Sequence, residues 1–273
     1  MKRIGETLQE AVPGRIRPGN TGNLLKTKTC PDCGAEIKPE KIKLFTKIIQ
    51  HYPLCECEIE RYRKEAEARE KRERQAHIER LFKNSGLGPR YSMCSFENWR
   101  VRKGTSVAMR AARDYADRLG DNIKGGKGLL LFGPPGNGKS HLAAAVTREA
   151  LARGYTAVFE RVPRLLSRIR VTYRDGSPVS EGEIMRALTQ ADLLTLDDAG
   201  AEKWTEWTEP TLYTIIDERY TYQKTLLMTT NSTLDELEKK IGFRAMDRVL
   251  EMCEIVENRG TSFRKERART RGA

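Results

Sequence analysis

The sequence has no hydrophobic run that approaches the ~20 residues needed to cross a bilayer. Its first residues, MKRIGETLQEAVPG, also lack the apolar core of a secretory signal. Cysteines number only six in 273 residues, too few for a dense disulfide framework. We therefore expect a cytoplasmic protein without membrane association, whose cysteines are metal ligands or core residues.

Acidic residues are in the minority. The chain has 38 Asp and Glu against 50 Lys and Arg, which gives a formal net charge of +12. Such an excess favours polyanionic partners, namely nucleic acid, nucleotides or an acidic protein surface.

Composition divides the chain into three zones. Residues 1–57 are loop-like and contain four of the six cysteines. Residues 58–89 begin with a run of alternating charges that predicts a solvated linker helix, and the segment NSGLGPR (84–90) then marks a hinge. Residues 90–273 alternate apolar strands with helical segments, which predicts an α/β domain whose parallel sheet is covered by helices on both faces. The predicted strands are GLLLF (128–132), TAVFE (156–160), DLLTL (192–196) and TLLMTTN (225–231).

A phosphate-binding loop follows the first of these strands. It fits the pattern G-x-x-x-x-G-K-[ST] and is followed by a predicted helix, so inward-facing backbone N–H groups and the helix N-terminus can bind phosphate. The lysine is expected to reach the β- and γ-phosphates, and the serine hydroxyl is expected to bind Mg²⁺. The loop consists of Gly133, Pro134, Pro135, Gly136, Asn137, Gly138, Lys139 and Ser140.

Two carboxylates end the third predicted strand. Asp197 is expected to hold Mg²⁺, and Asp198 to orient the attacking water. With the phosphate loop, they predict a site for a nucleoside triphosphate.

The spaced motifs resemble those of AAA+ ATPases, and within them the DnaC/DnaI-type replicative helicase loaders. The resemblance lies in GPPGNGKSHLAAA, with His141 after the serine, in SFENW (95–99) and in LLTLDDAGAEKWTEW, and it covers roughly residues 90–265. It implies that Asn231 contacts the γ-phosphate or water, that Arg248 acts in trans on a neighbour's ATP, and that Arg264 acts in cis. Arg244 is the other candidate for the trans role.

The resemblance also implies a function. It predicts an AAA+ ATPase that uses ATP and Mg²⁺, assembles through its ATPase domains, binds a hexameric replicative helicase and delivers it onto single-stranded DNA. Most AAA+ members carry Glu where this chain has Asp198, and the shorter side chain predicts slower turnover.

Four cysteines form the pattern C-x₂-C-x₂₁-C-x-C. Cys30 and Cys33 have the spacing of a zinc knuckle, whereas Cys55 and Cys57 are closer together than usual, and His51 is a possible substitute ligand. We predict a structural Zn²⁺ site, with free or redox-active thiols as the alternative. By the resemblance, this domain docks the helicase.

Three other functions remain open from the sequence. A transposition helper of the IstB type has the same ATPase core but targets DNA for a transposase. A P-loop kinase of small molecules would need an acceptor pocket. A zinc protein that binds nucleic acid would have a degenerate ATP site, which intact Lys139, Ser140 and Asp197 argue against.

Overall fold

The computed structural model describes residues 26–44, 47–83, 86–174, 176–201 and 205–271. The first 25 residues of the predicted zinc domain, and residues 202–204 of the motif around Asp198, lie outside them. The chain divides into two compact units, residues 1–69 and 70–273. Among the described residues, no helix combines the length and the apolar character needed to span a bilayer.

Unit 1 contains two short antiparallel hairpins and the start of a long helix. Strand β1 (Lys28–Thr29) pairs with β2 (Glu36–Ile37), and β3 (Glu40–Leu44) pairs with β4 (Lys47–His51). Helix α1 (Glu56–Phe82) begins directly after Cys55 and continues into unit 2.

Unit 2 is built on a five-stranded parallel sheet in the order β6-β7-β8-β5-β9. Its strands are β5 (Gly128–Phe132), β6 (Ala157–Arg161), β7 (Leu193–Ala199), β8 (Thr225–Thr230) and β9 (Cys253–Glu257). Its helices are α2 (Gly88–Ser92), α3 (Ser106–Asp117), α4 (Leu119–Lys124), α5 (Lys139–Ala152), α6 (Val162–Val171), α7 (Glu181–Gln190), α8 (Thr208–Thr221), α9 (Leu234–Ile241), α10 (Phe243–Met252) and α11 (Phe263–Arg271).

Helices cover both faces of this sheet, as the sequence predicts. Successive side chains of a strand point to opposite faces, so Leu130 joins one buried cluster while Leu129 and Leu131 join the other. The near-continuous apolar runs of the central strands follow from burial on both sides. The prediction of an α/β fold is confirmed.

The prediction of a solvated linker helix is wrong at its C-terminal end. Ile78 and Phe82, four residues apart on one face of α1, are completely buried in unit 2. The boundary between the units falls between residues 69 and 70, inside the predicted 58–89 linker.

Gly86, which follows α1, lies directly against strand β6. Gly86 has φ +81°, and a Cβ there would lie 1.8 Å from the backbone oxygen of Phe159. Only glycine fits this approach. The predicted hinge at 84–90, of which residues 84 and 85 are outside the described part, therefore includes a position that lies against the sheet.

Gly86→Ala is expected to destabilise unit 2 by about 2 kcal/mol, from the left-handed backbone and the clash with Phe159. Urea unfolding followed by tryptophan fluorescence measures this, because all three tryptophans lie in unit 2. Gly182→Ala is the control, since a Cβ in helix α7 meets nothing within 4 Å. Equal stability of the two variants would contradict the packing described for Gly86.

Candidate functional site

The predicted phosphate loop connects strand β5 to helix α5. Gly138 has φ +104° and lies directly before the helix, and a Cβ there would strike the indole of Trp99 at 2.4 Å. Gly133 has φ +131°, and a Cβ would meet the backbone oxygen of Asn258 at 2.4 Å. The helix N-terminus therefore faces the loop, as phosphate binding requires.

Lys139 lies at the centre of the site. Its Nζ donates to the backbone oxygens of Gly133 (2.7 Å) and Pro134 (2.9 Å) and to Oδ1 of Asn231 (2.9 Å). Burial lowers the pKa of Lys139 to about 8, an effect opposed by the charges of Asp197 and Asp198. One ammonium group thus joins the phosphate loop to the end of strand β8.

Asp197 is almost fully buried at the end of strand β7. Its Oδ1 accepts the Thr229 hydroxyl at 2.7 Å, while its buried Oδ2 has no hydrogen-bond partner among the described residues. Burial raises the pKa of Asp197, and the hydroxyls of Ser140 and Thr229 oppose the rise. An orphan carboxylate oxygen beside a serine hydroxyl is a donor set that suits Mg²⁺.

Asp198 occupies a bulge in strand β7, with φ +62°. Its Oδ1 accepts from Nδ2 of Asn231 at 2.7 Å, and its Oδ2 accepts from the Arg161 guanidinium at 2.9 Å. A left-handed backbone is unusual for a residue other than glycine, although Asp tolerates it better than most. The carboxylate of Asp198 is therefore fixed by two side chains from the neighbouring strands.

Sequence reasoning missed Arg161. It ends strand β6, whose parallel register pairs it with Asp197, and the hydrogen bond to Asp198 raises the pKa of Arg161. The sequence contains one indication of its role, because Arg161, like Asp198, is a charged residue at the end of a predicted strand.

His141 and Trp99 line one wall of the cavity. The His141 Nε2 lies 2.8 Å from the backbone oxygen of Ser95, and its ring centroid is 5.3 Å from that of Trp99. His141 therefore fastens the SFENW segment to helix α5.

A second wall comes from the chain after strand β9. The N–H of Phe263 donates to the Gly136 oxygen at 2.9 Å, and Asn137 Nδ2 donates to the Asn258 oxygen at 2.5 Å. Arg102, also missed in the sequence, donates to the backbone oxygens of Asn137 (2.9 Å) and Thr261 (2.6 Å). The loop is thus held from two directions.

These groups enclose a cavity of about 790 Å³. The predicted site residues along its wall are Pro135, Gly136, Asn137, Gly138, Lys139, Ser140, His141, Asp197, Asp198, Asn231 and Arg264. Gly133 and Pro134 contribute backbone oxygens to Lys139 instead.

Arg248 lies away from this cavity on helix α10. Its guanidinium forms an ion pair with Asp217 and stacks between Tyr213 and Tyr220, with its Cζ 5.0 and 5.5 Å from the ring centroids. Arg244, one turn earlier, is exposed.

The four predicted zinc ligands converge in unit 1. The Sγ atoms of Cys30, Cys33, Cys55 and Cys57 all lie within 4.8 Å of one another. His51 is 3.9 Å from Glu40 and outside this cluster. Four thiols at such distances fit a tetrahedral ion with metal–sulfur bonds of about 2.3 Å.

The sheet order, in which β8 lies between the phosphate-loop strand β5 and the strand β7 that carries the paired acids, defines with these motifs an ATP-binding protein of the AAA+ class. A family model described as IstB-like ATP binding protein matches residues 63–271. The replicative helicase loader DnaC of Escherichia coli strain K12 is 34% identical over 183 residues, which are 67% of this chain and 73% of DnaC. The chain therefore belongs to the IstB-like ATP binding protein family and is homologous to DnaC.

Solved structures share the fold. The crystal structure of the DnaC helicase loader matches with a TM-score of 0.57 at 24% identity, over 63% of this chain and 100% of that one. The crystal structure of DnaI matches with a TM-score of 0.53 at 22% identity, over 62% and 92% of the two chains. The resemblance found in the motifs is confirmed.

Arg102→Met is expected to weaken ATP binding about 10-fold, because the loop loses a charged donor that contributes roughly 1.5–3 kcal/mol. Titration calorimetry with ATP and Mg²⁺ measures the affinity. Arg110→Met is the matched control, since Arg110 is exposed on helix α3 and is not among the residues that line the cavity. If both variants bind ATP equally well, Arg102 does not support the loop.

Proposed function

We propose that this chain is an ATP-hydrolysing loader that binds a hexameric replicative helicase and delivers it onto single-stranded DNA. The observation that carries the proposal is the homology of its ATP-binding unit to the helicase loader DnaC. ATP binding drives assembly of neighbouring ATPase units, and hydrolysis releases the helicase.

Each group of the cavity has a chemical role in this proposal. Lys139 and the loop N–H groups bind the β- and γ-phosphates, and Ser140 and Asp197 would hold Mg²⁺, which neutralises phosphate charge. Asp198 and Asn231 position the attacking water, while Arg264 binds the nucleotide of its own subunit. Asp198 can still accept hydrogen bonds from water, because a carboxylate offers about four acceptor sites and Arg161 and Asn231 use two of them.

The expected contact with single-stranded DNA is supported by a cation–aromatic cluster. The Arg170 guanidinium lies 4.8 Å from the Trp207 ring centroid, and Tyr173 packs edge-on against Trp207 at 6.1 Å. Bases stack on such rings without regard to sequence while arginine binds phosphate. Arg168, two residues before Arg170, instead donates to the backbone oxygen of Leu81 and to Glu160.

A second candidate is the IstB-type transposition helper, since the matching family model is described as IstB-like ATP binding protein. The two functions differ in the protein partner. Native mass analysis of the full chain with the replicative helicase of its source, with and without ATP, is expected to show a defined complex. A complex with a transposase, and none with the helicase, would overturn the loader proposal. Lys139→Ala is the control, and its complexes should not respond to ATP.

One Zn²⁺ per chain is expected in the cysteine cluster, and Cys33→Ser should lose it. The metal contributes about 10–16 kcal/mol to such small sites, so unit 1 should unfold while ATP still binds to unit 2. Elemental analysis and limited proteolysis give the two readouts. Unchanged metal content in Cys33→Ser, with Cys94→Ser as control, would exclude this ligand set.

Arg248→Ala is expected to preserve ATP binding and to abolish the part of hydrolysis that rises with protein concentration, because a trans arginine contributes roughly 10³–10⁵ in rate. On assembly Arg248 must exchange Asp217 for the neighbour's phosphates. Arg244→Ala is the matched variant on the same helix. Loss of this activity in Arg244→Ala alone would move the trans role to Arg244, and loss in neither would remove it from α10.

A further inference from the structure

A buried carboxylate lies directly before Arg161, outside the ATP cavity. The Glu160 side chain is 1% exposed, and its Oε1 accepts from the Arg168 guanidinium at 3.3 Å. Its Oε2 has no hydrogen-bond partner among the described residues, with Arg164 Nε at 3.9 Å. Burial raises the pKa of Glu160, which the two arginines oppose. Buried charges of this kind persist where their partners hold them in place.

Arg168 links this carboxylate to the end of helix α1. Its guanidinium donates to the backbone oxygen of Leu81 at 2.8 Å and lies 5.2 Å from the ring centroid of Phe82. Phe82 is itself completely buried. One side chain therefore contacts both the last turn of α1 and the last residues of strand β6.

Three more contacts on the same strand come from α1 and from the residues that follow it. The N–H of Ala157 donates to the Gln75 side chain at 3.0 Å, Gly86 packs on the Phe159 oxygen, and the rings of Tyr91 and Phe159 lie 5.0 Å apart. Strand β6 is at the edge of the five-stranded sheet, and within the described ranges its only strand partner is β7. Because β6 is an edge strand, its position depends on its contacts with α1 and the residues after α1 more than the position of an inner strand does.

Strand β6 ends in the residue that holds Asp198. Arg161 donates to Asp198 Oδ2, and Asp198 lies in a bulge where the ladder between β7 and β8 shifts register. Because the backbone around Asp198 is irregular, its carboxylate depends on side-chain partners for orientation. A small shift of β6 would change the reach of Arg161 toward Asp198.

We propose that Phe82, Glu160 and Arg168 form an α1–β6 clamp that positions Arg161, and through it Asp198. A protein partner that shifts helix α1 would then change the rate of ATP hydrolysis without binding in the ATP cavity. Helix α1 begins beside the cysteine cluster. The same helix therefore connects a partner bound to unit 1 with the clamp. The inference rests on the proposed ATPase function and adds a regulator to it.

Steady-state ATPase measurements on the full chain test the clamp. Arg168→Met is expected to lower kcat about 10-fold and to leave KM for ATP within about twofold, since coupling through such networks changes rates by roughly 2- to 30-fold. Arg164→Met is the matched control on the same helix, because Arg164 approaches Glu160 but makes no contact with α1 among the bonds described, and its kcat should stay within about twofold.

A double variant separates positioning from simple destabilisation. Arg161→Met should lower kcat by a similar factor, and adding Arg168→Met should cause no further loss, because both act through Asp198. If the losses in kcat of the two single variants multiply in the double variant, or if KM rises as kcat falls, the clamp is refuted.

Hydrogen exchange gives a readout that does not need hydrolysis. Amides of residues 196–199 should exchange at least about fivefold faster in Arg168→Met than in the wild type or Arg164→Met. Unchanged exchange there would overturn the clamp even if the chain is an active ATPase. Wild-type protein without ATPase activity, but with faster exchange in Arg168→Met, would instead refute the proposed ATPase and retain the clamp.

Discussion

A continuous line of hydrogen bonds holds the ATP site together. Lys139 donates to Asn231, Asn231 donates to Asp198, and Asp198 accepts from Arg161. The line crosses the ends of strands β8, β7 and β6 and reaches the phosphate loop after β5. Lys139 and Arg161 place positive charges at the two ends of the line, with the neutral amide of Asn231 and the carboxylate of Asp198 between them. The parallel sheet makes the line possible, because it brings the carboxyl ends of its strands to one edge.

The structure also limits how freely this line can move. The phosphate loop is fixed by Asn137 and Arg102, and Asp198 is held in a left-handed bulge by partners from two strands. Arg161 is the exception, since it stands on the edge strand whose outer side is covered by helix α1. The phosphate loop is therefore held from several sides, whereas Arg161, the partner of Asp198, stands on the edge strand beside helix α1.

Local patterns predict the parts of the fold that local chemistry determines. The phosphate loop, the paired acids and four strands of the sheet follow from glycine spacing and apolar runs. Strand β9 is missed because CEIVE mixes charged and apolar residues at the edge of the sheet, where alternate side chains reach solvent. The burial of Ile78 and Phe82 is missed because charges dominate the surrounding helix.

Contacts between distant segments account for the remaining differences. The bond from Arg161 to Asp198 joins residues 37 positions apart, and that from Arg102 to Thr261 joins residues 159 apart. No local pattern identifies either pair, since both depend on strand register and tertiary packing. The ion pair of Arg248 with Asp217 is likewise invisible in the motif that suggests a trans role.

The central claim is that Asp198, held by its two partners, serves hydrolysis and not ATP binding. The most direct test is single-turnover cleavage of ATP by the wild type and by Asp198→Asn, at saturating protein and with bound ATP measured in parallel. We expect equal ATP binding and a cleavage rate at least about 100-fold lower in the variant, in line with the loss of a carboxylate that positions the attacking water. Equal cleavage rates in the two proteins would contradict the account.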